Sequence, residues 1–204
     1  MKVRSAFNRG EMLVARFRVE PTETDVAVAK AINDHTTPGI ENVATVITWL
    51  ADEKVLLASA AALWVLTRAS SERTRFVSNT LLADVIVSAL TPHVVKRICS
   101  QKRPDRVFVA GHLWGIPFSG RQYDAFPSGH AVHVGAICGS IARLFPNWRR
   151  VAMIGGIGIA GSRVVLLAHW LSDVAVGLAA GILVDRTVSR MLNGPPGEEG
   201  LRKR

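Results

Sequence analysis

The sequence predicts an all-α protein, an integral membrane helical bundle of about five transmembrane helices. Three observations lead there. Apolar runs cover Val55 to Thr67, Phe76 to Val95, Ala131 to Phe145, Val151 to Ala168 and Val174 to Met191. These runs are too uniformly apolar to leave a wet face on each helix, and short Arg-rich loops join them, which disfavours a soluble helical bundle. Small residues recur at four-residue spacing, as in Gly135 with Gly139 and Gly177 with Gly181, a pattern that lets helices approach closely in lipid. Mean hydropathy is only +0.23, and several runs fall short of the roughly 20 residues that span a bilayer. The helices are therefore expected to extend into their polar flanks.

Taken in chain order, residues 1–36 read as a basic arm and an amphipathic surface helix. Lys2, Arg4, Arg9, Arg16 and Arg18 occur without a continuous apolar stretch, so no cleavable signal peptide is expected. Thr22 to Asp25 can cap a helix running to about Asn33, lying along the bilayer surface. Residues 37–192 form the membrane domain. Within its second run Asp84 stands out, because an acid among apolar residues is costly without a partner; a buried structural hydrogen bond accounts for it better than catalysis. Gly155, Gly156, Gly158 and Gly161 crowd the fourth run. Such small-residue faces also offer a route to homo-oligomers. The Gly/Pro-rich, charged stretch 193–204 reads as a disordered tail, and no internal repeat is evident.

The net charge of +9 is dispersed among loops rather than gathered on one element, which argues against nucleic acid and for anionic membrane lipid as the counterpart. Cys99 and Cys138 make neither a disulfide framework nor a metal spacing. The turn at Arg68, Arg73 and Arg75, the turn at Arg149 and Arg150, and Arg186 with Arg190 fall on one side of a five-span bundle. Positive loops stay in the cytoplasm, so the opposite end faces the extracytoplasmic side. Five spans also put the Arg-rich N-terminus there, against the same rule.

At that opposite end lie three short strings: Lys96 followed by Arg103-Pro104, then Pro127-Ser128-Gly129-His130, then Ser162-Arg163 with His169 and Asp173. They bring together permanent cations, two imidazoles and a carboxylate, an inventory suited to phosphoryl transfer through a histidine. Phosphoryl transfer spreads charge over three equatorial oxygens, so fixed cations and N–H donors carry much of the catalysis. Lys96, Arg103 and Arg163 are candidates for that cage. Ser128 adds a hydroxyl and Gly129 a bare N–H at the start of a helix, where unpaired amides favour an anion. His169 and Asp173, four apart on one helix face, would let the carboxylate accept an imidazole N–H and free the other nitrogen for attack on phosphorus. His130 would protonate the leaving oxygen and later activate water. No metal or other cofactor is required. His133, three after His130, is read as a packing or supporting residue, with metal chelation the lesser alternative. His35, His93 and His112 are read as loop or interface residues.

In these residues the chain resembles the type 2 phosphatidic acid phosphatase superfamily, which includes membrane lipid phosphatases, soluble bacterial acid phosphatases, glucose-6-phosphatase and the vanadium haloperoxidases. The signatures K-x6-R-P, P-S-G-H and S-R-x5-H-x3-D are all present without substitution, and the likeness runs from about Asp25 to Met191. It implies His169 as nucleophile, Asp173 as its partner and His130 as acid, with Lys96, Arg103, Ser128, Gly129 and Arg163 as phosphate ligands. Leu171 stands where many relatives have proline. The implied activity is hydrolysis of the terminal phosphate of a membrane lipid phosphate or diphosphate, of the phosphatidate, phosphatidylglycerol phosphate or polyprenyl diphosphate class, through a phosphohistidine. The expected setting is the bacterial inner membrane. A lipid phosphotransferase using the same residues, a non-catalytic phosphate-binding membrane protein and, more remotely, a haloperoxidase are the alternatives.

Overall fold

In the computed structural model, residues 17–108 and 120–192 are described. The polypeptide is mostly helical. Helix α1 (Glu23–His35) begins as its sequence signals: Thr22 Oγ accepts the Asp25 N–H at 3.1 Å, and Asp25 accepts the Thr22 N–H at 2.9 Å. Such a reciprocal cap satisfies donors that have no partner inside the helix. A separate α2 (Pro38–Thr48) follows, ahead of the first apolar run. Pro38 starts it at the position where a missing N–H does no harm. A short 3-10 turn (Trp49–Ala51) leads to α3 (Glu53–Leu66), capped by Asp52, which accepts from the Lys54 and Val55 amides. Then come α4 (Glu72–Lys96), a single turn α5 (Asp105–Phe108), α6 (Gly129–Leu144), α7 (Arg149–Val165) and α8 (Leu171–Met191).

Two very short strands depart from the all-α expectation. β1 (Phe17–Arg18) pairs in parallel with β2 (Cys99–Ser100). The chain leaving α4 is extended, and its backbone groups need partners outside a helix. Val19 N–H donates to Ser100 on one side; on the other, Gln101 and Arg103 donate to Tyr123 and Gln122. The segment that carries Arg103 is thus held along both edges.

Helix α6 is the centre of the bundle, packed against α8, α4 and α7. Its contact with α8 depends on glycine. A Cβ on Gly181 would lie 2.6 Å from the Ala136 backbone nitrogen, and one on Gly177 would lie 2.8 Å from the Ser128 carbonyl oxygen. The small-residue faces expected to serve oligomer contacts are therefore largely buried within one chain, between α6 and α8. In α7 only Gly156 meets a neighbouring helix, at Cys138 and Val134, whereas a Cβ on Gly155, Gly158 or Gly161 would meet nothing within 4 Å. Gly181→Ala is expected to destabilise the detergent-solubilised protein by about 1–3 kcal/mol through overpacking against backbone that cannot yield. Gly155→Ala, in open space, should hold or raise the thermal midpoint. Equal midpoints for the two variants would contradict this packing account.

Asp84 is fully buried and accepts from Ser140, whose hydroxyl also lies 2.9 Å from Asp185 Oδ1; Arg143 Nη2 meets that carboxylate at 2.7 Å. The acid in the apolar run thus belongs to a four-residue polar cluster linking α4, α6 and α8. Helices α4, α6, α7 and α8 begin ahead of their apolar runs, yet α3, α6 and α7 have only 14, 16 and 17 residues. Among the described residues no helix is long and apolar enough to cross a membrane. The outer faces are nevertheless apolar: Leu66 of α3, Leu90 of α4, Ile154 of α7 and Leu183 of α8 are each more than half exposed.

Candidate active site

The three strings meet at one end of the bundle, around the turn between α7 and α8. Helix α7 closes with Leu167 in the left-handed region at φ 50°, while the Ala168 and His169 N–H groups both donate to the Arg163 carbonyl, at 3.0 and 3.2 Å. A left-handed leucine costs roughly 1–2 kcal/mol. Its surroundings hold it there: Leu167 is fully buried against Ala125 and Trp170. Three hydrogen bonds fasten the turn to the chain after α4. Asp105 N–H donates to the Leu167 carbonyl at 2.9 Å, Arg103 Nη1 to Ala168 at 2.8 Å, and Trp170 Nε1 to Lys102 at 2.8 Å.

His169 therefore precedes α8 rather than lying on it, and the expected i,i+4 hydrogen bond to Asp173 does not form. Asp173 Oδ2 is 3.8 Å from His169 Nδ1 and instead accepts the Trp170 N–H at 2.9 Å, capping α8. Nδ1 donates to the Ala125 carbonyl at 2.6 Å. A carbonyl can only accept, so this bond fixes the proton on Nδ1 and leaves the Nε2 lone pair free. Burial, followed by the positive fields of Arg103, Arg163 and Lys96, holds the imidazole well below its ordinary pKa, with the Ala125 bond opposing. These effects favour the neutral form of the ring. Asp173 stands near the ring without bonding to it. Leu171 opens α8 at the first helical position, where proline is also favoured.

The cations converge on this ring. Arg103 is 4% exposed, and its Nε donates to the Arg121 carbonyl at 3.0 Å and to Asp124 Oδ1 at 2.8 Å. Lys96 Nζ lies 3.8 Å from the other Asp124 oxygen, so one carboxylate aligns two of the cations. Lys96 is in electrostatic reach of Arg103, Arg163 and Asp173. Arg163 Nη1 donates to Thr48 Oγ at 3.2 Å, while its Nε has no hydrogen-bond partner among the described residues. Ser128 sits at the N-cap of α6, but its side chain does not cap; the hydroxyl is buried without a partner among the described residues. Ser128 N–H donates to the Asp173 carbonyl at 3.3 Å, tying the start of α6 to that of α8. Gly129 and His130 begin α6, where amides without helical partners favour an anion, and His130 is in the electrostatic reach of Arg163 and Arg103. Uncommitted donors from Ser128 and Arg163, beside fixed cations, can bind a tetrahedral oxyanion.

The other described histidines stand apart from this cage. His133 turns away to Ser88, Nδ1 to Oγ 2.8 Å, with Glu53 4.0 Å from its Nε2. His93 lies 3.9 Å from the same Glu53, and His35 Nδ1 donates to the Ala31 carbonyl. His112 and the stretch 193–204 lie outside the described residues.

Several residues of the site were not anticipated. Besides the Ala125 carbonyl and Asp124, the main one is Asp25 of α1, buried at 2% exposure. Its carboxylate accepts the Ser172 N–H at 2.8 Å and the Ser172 hydroxyl at 2.7 Å, in addition to both Thr22 donors. Burial alone would raise its pKa, but these hydrogen bonds outweigh burial and hold it below the usual carboxylate value. Asp25 thereby fixes the residue next to Asp173. The Thr22–Asp25 cap was visible in the sequence; the second use of the same carboxylate was not.

Lipid A 1-phosphatases of Rhizobium etli and Rhizobium johnstonii are each 38% identical to the chain over 102 residues. That match covers 50% of this chain and 44% and 42% of theirs, so the chain matches less than half the length of these relatives. Among solved structures, the transmembrane PAP2 type phosphatidylglycerolphosphate phosphatase of Bacillus subtilis aligns with a TM-score of 0.58 at 21% identity, over 82% of this chain and 83% of that one. Aquifex aeolicus LpxE aligns with a TM-score of 0.61 at 16% identity, over 85% of this chain and 99% of that one. These two show a shared fold. The family model of the PAP2 superfamily matches residues 76–194, a segment holding all three strings and every helix from the body of α4 onward; the chain belongs to the PAP2 superfamily.

Proposed function

We propose that the protein is a membrane phosphatase that removes the terminal phosphate of a lipid phosphate or diphosphate through a phosphohistidine. The observation that carries this reading is the buried His169, its Nε2 freed by the Ala125 bond and set among Lys96, Arg103 and Arg163. Nε2 attacks phosphorus while the lipid oxygen leaves with a proton from His130. The negative charge of the bound phosphate favours the protonated form of that ring. Water then attacks the phosphohistidine, His130 takes its proton, and inorganic phosphate departs with Nε2 restored as a lone pair. Lys96, Arg103, Arg163, the Ser128 hydroxyl and the Gly129 amide hold the phosphate oxygens throughout. Support for a lipid substrate comes from the activities of the relatives, and support for a membrane setting from the apolar outer faces of α3, α4, α7 and α8. About five spans, an inner-membrane location and an extracytoplasmic site are part of the same proposal.

Purified protein in detergent, given phosphatidate, phosphatidylglycerol phosphate, a polyprenyl diphosphate and lipid A in turn, should release inorganic phosphate from at least one of them with no acceptor added. Because protein cations supply the positive charge, release should survive EDTA. Vanadate, a mimic of five-coordinate phosphorus, should inhibit. Release only after a second lipid is added would identify a phosphotransferase, and strict dependence on a divalent ion would sink the metal-free mechanism.

A further inference from the structure

Helix α2 packs against α7 and leaves a cavity of about 490 Å³ between them. Its walls are Ile40, Val43 and Ile47 of α2 and Gly158, Gly161 and Val165 of α7. We propose that this groove holds an acyl chain of the lipid whose phosphate enters the cage, an assignment that rests on the lipid-phosphate reading above.

Three observations support that occupant. First, the groove runs into the catalytic end: Ser162 also lines it, and the adjacent Arg163 reaches Thr48, the last residue of α2. An apolar trough that ends beside a guanidinium complements a molecule with an apolar tail and an anionic head. Second, Gly158 and Gly161 are not required by packing, since a Cβ on either meets nothing within 4 Å. Their effect is to keep the α7 wall low opposite the branched side chains of α2. Third, the size suits a single chain better than a whole helix: a helix with its side chains is about 10–12 Å across, so 490 Å³ would seat roughly one turn of it. The volume falls within the roughly 300–1,000 Å³ of small-molecule sites. Val43, more than half exposed, stands at the groove rim, where a chain can enter from lipid.

The test compares phosphatidate bearing hexadecanoyl chains with phosphatidate bearing hexanoyl chains, using wild type, Gly158→Leu, Gly161→Leu and Gly155→Leu. Leucine at 158 or 161 fills the groove. The long-to-short ratio of kcat/KM is expected to fall about tenfold, comparable to losing roughly two buried methylenes. Gly155→Leu, in open space on the same helix but outside the groove, should keep the wild-type ratio. An unchanged ratio at both 158 and 161, or an equal fall in all three variants, would overturn the assignment. A second measurement does not depend on turnover: a photo-crosslinking phenylalanine analogue is placed at Val43, in membranes containing hexadecanoyl phosphatidate. An adduct of one chain with the lipid is expected. A covalent dimer would instead put a second copy in the groove, and no lipid adduct would also overturn the proposal. If wild type releases phosphate from neither phosphatidate, that lipid is not its substrate, and the adduct alone decides what the groove holds.

Discussion

Replacing His169 with asparagine is expected to lower phosphate release by on the order of 10⁴-fold or more, because the lost nitrogen makes the covalent bond itself. Asparagine is the informative choice. Its amide can still donate to the Ala125 carbonyl, which lies 2.6 Å from Nδ1 in the native protein, so the turn keeps its anchor. The bonds from Arg103 to Ala168 and from Trp170 to Lys102 involve other groups and stay in place. A thermal midpoint close to that of wild type, measured beside the rate, separates lost chemistry from lost folding. Wild type quenched in alkali during turnover should carry phosphate on a histidine, and the variant should carry none. Near-wild-type turnover in His169→Asn would remove the nucleophile from the scheme.

The second large effect distinguishes the two histidines. With a lipid phosphate, whose alkoxide is a poor leaving group, His130→Ala is expected to lower the rate by about 10²–10⁴-fold. With p-nitrophenyl phosphate the leaving group departs without a proton, and the loss should shrink to about tenfold or less. His169→Asn should damage both substrates alike, since attack on phosphorus is common to them. His130 stands in the first turn of α6, near Arg163 and Arg103. If His130→Ala lost as much on the aryl ester as on the lipid, its part would be phosphate binding, and another group would have to supply the proton.

What could be read in advance was chemistry tied to residue type. Lys, Arg, His and Asp at fixed spacing suggested a phosphate cage, and folding brings those residues to one end of the bundle. The Thr22–Asp25 cap and the five apolar runs were legible for the same reason, since side chains carry the signal. What escaped was carried by backbone. Every residue has a carbonyl, so nothing marked Ala125 as the partner of His169. The i,i+4 reading assumed one helix through His169 and Asp173, but left-handed Leu167 turns the chain and α8 starts only at Leu171. Glycine was ambiguous in a similar way: Gly156 and Gly181 serve close packing, whereas Gly158 and Gly161 border open space.

The bonds that shape the site have one property in common, their reach along the chain. Ala125 and His169 are 44 residues apart, Arg103 and Ala168 65, Thr48 and Arg163 115, and Asp25 and Ser172 147. The helices need no such closures. Joining the ends of the longest of these loops costs about 1 kcal/mol more in chain entropy than joining the shortest. The Asp25–Ser172 contact thus makes the catalytic end a sensor of whether the whole chain has come together. With this contact open, the turn bearing His169 lacks one of its fastenings. The proposed phosphate release is accordingly expected to report on that contact more directly than a spectroscopic count of helix does.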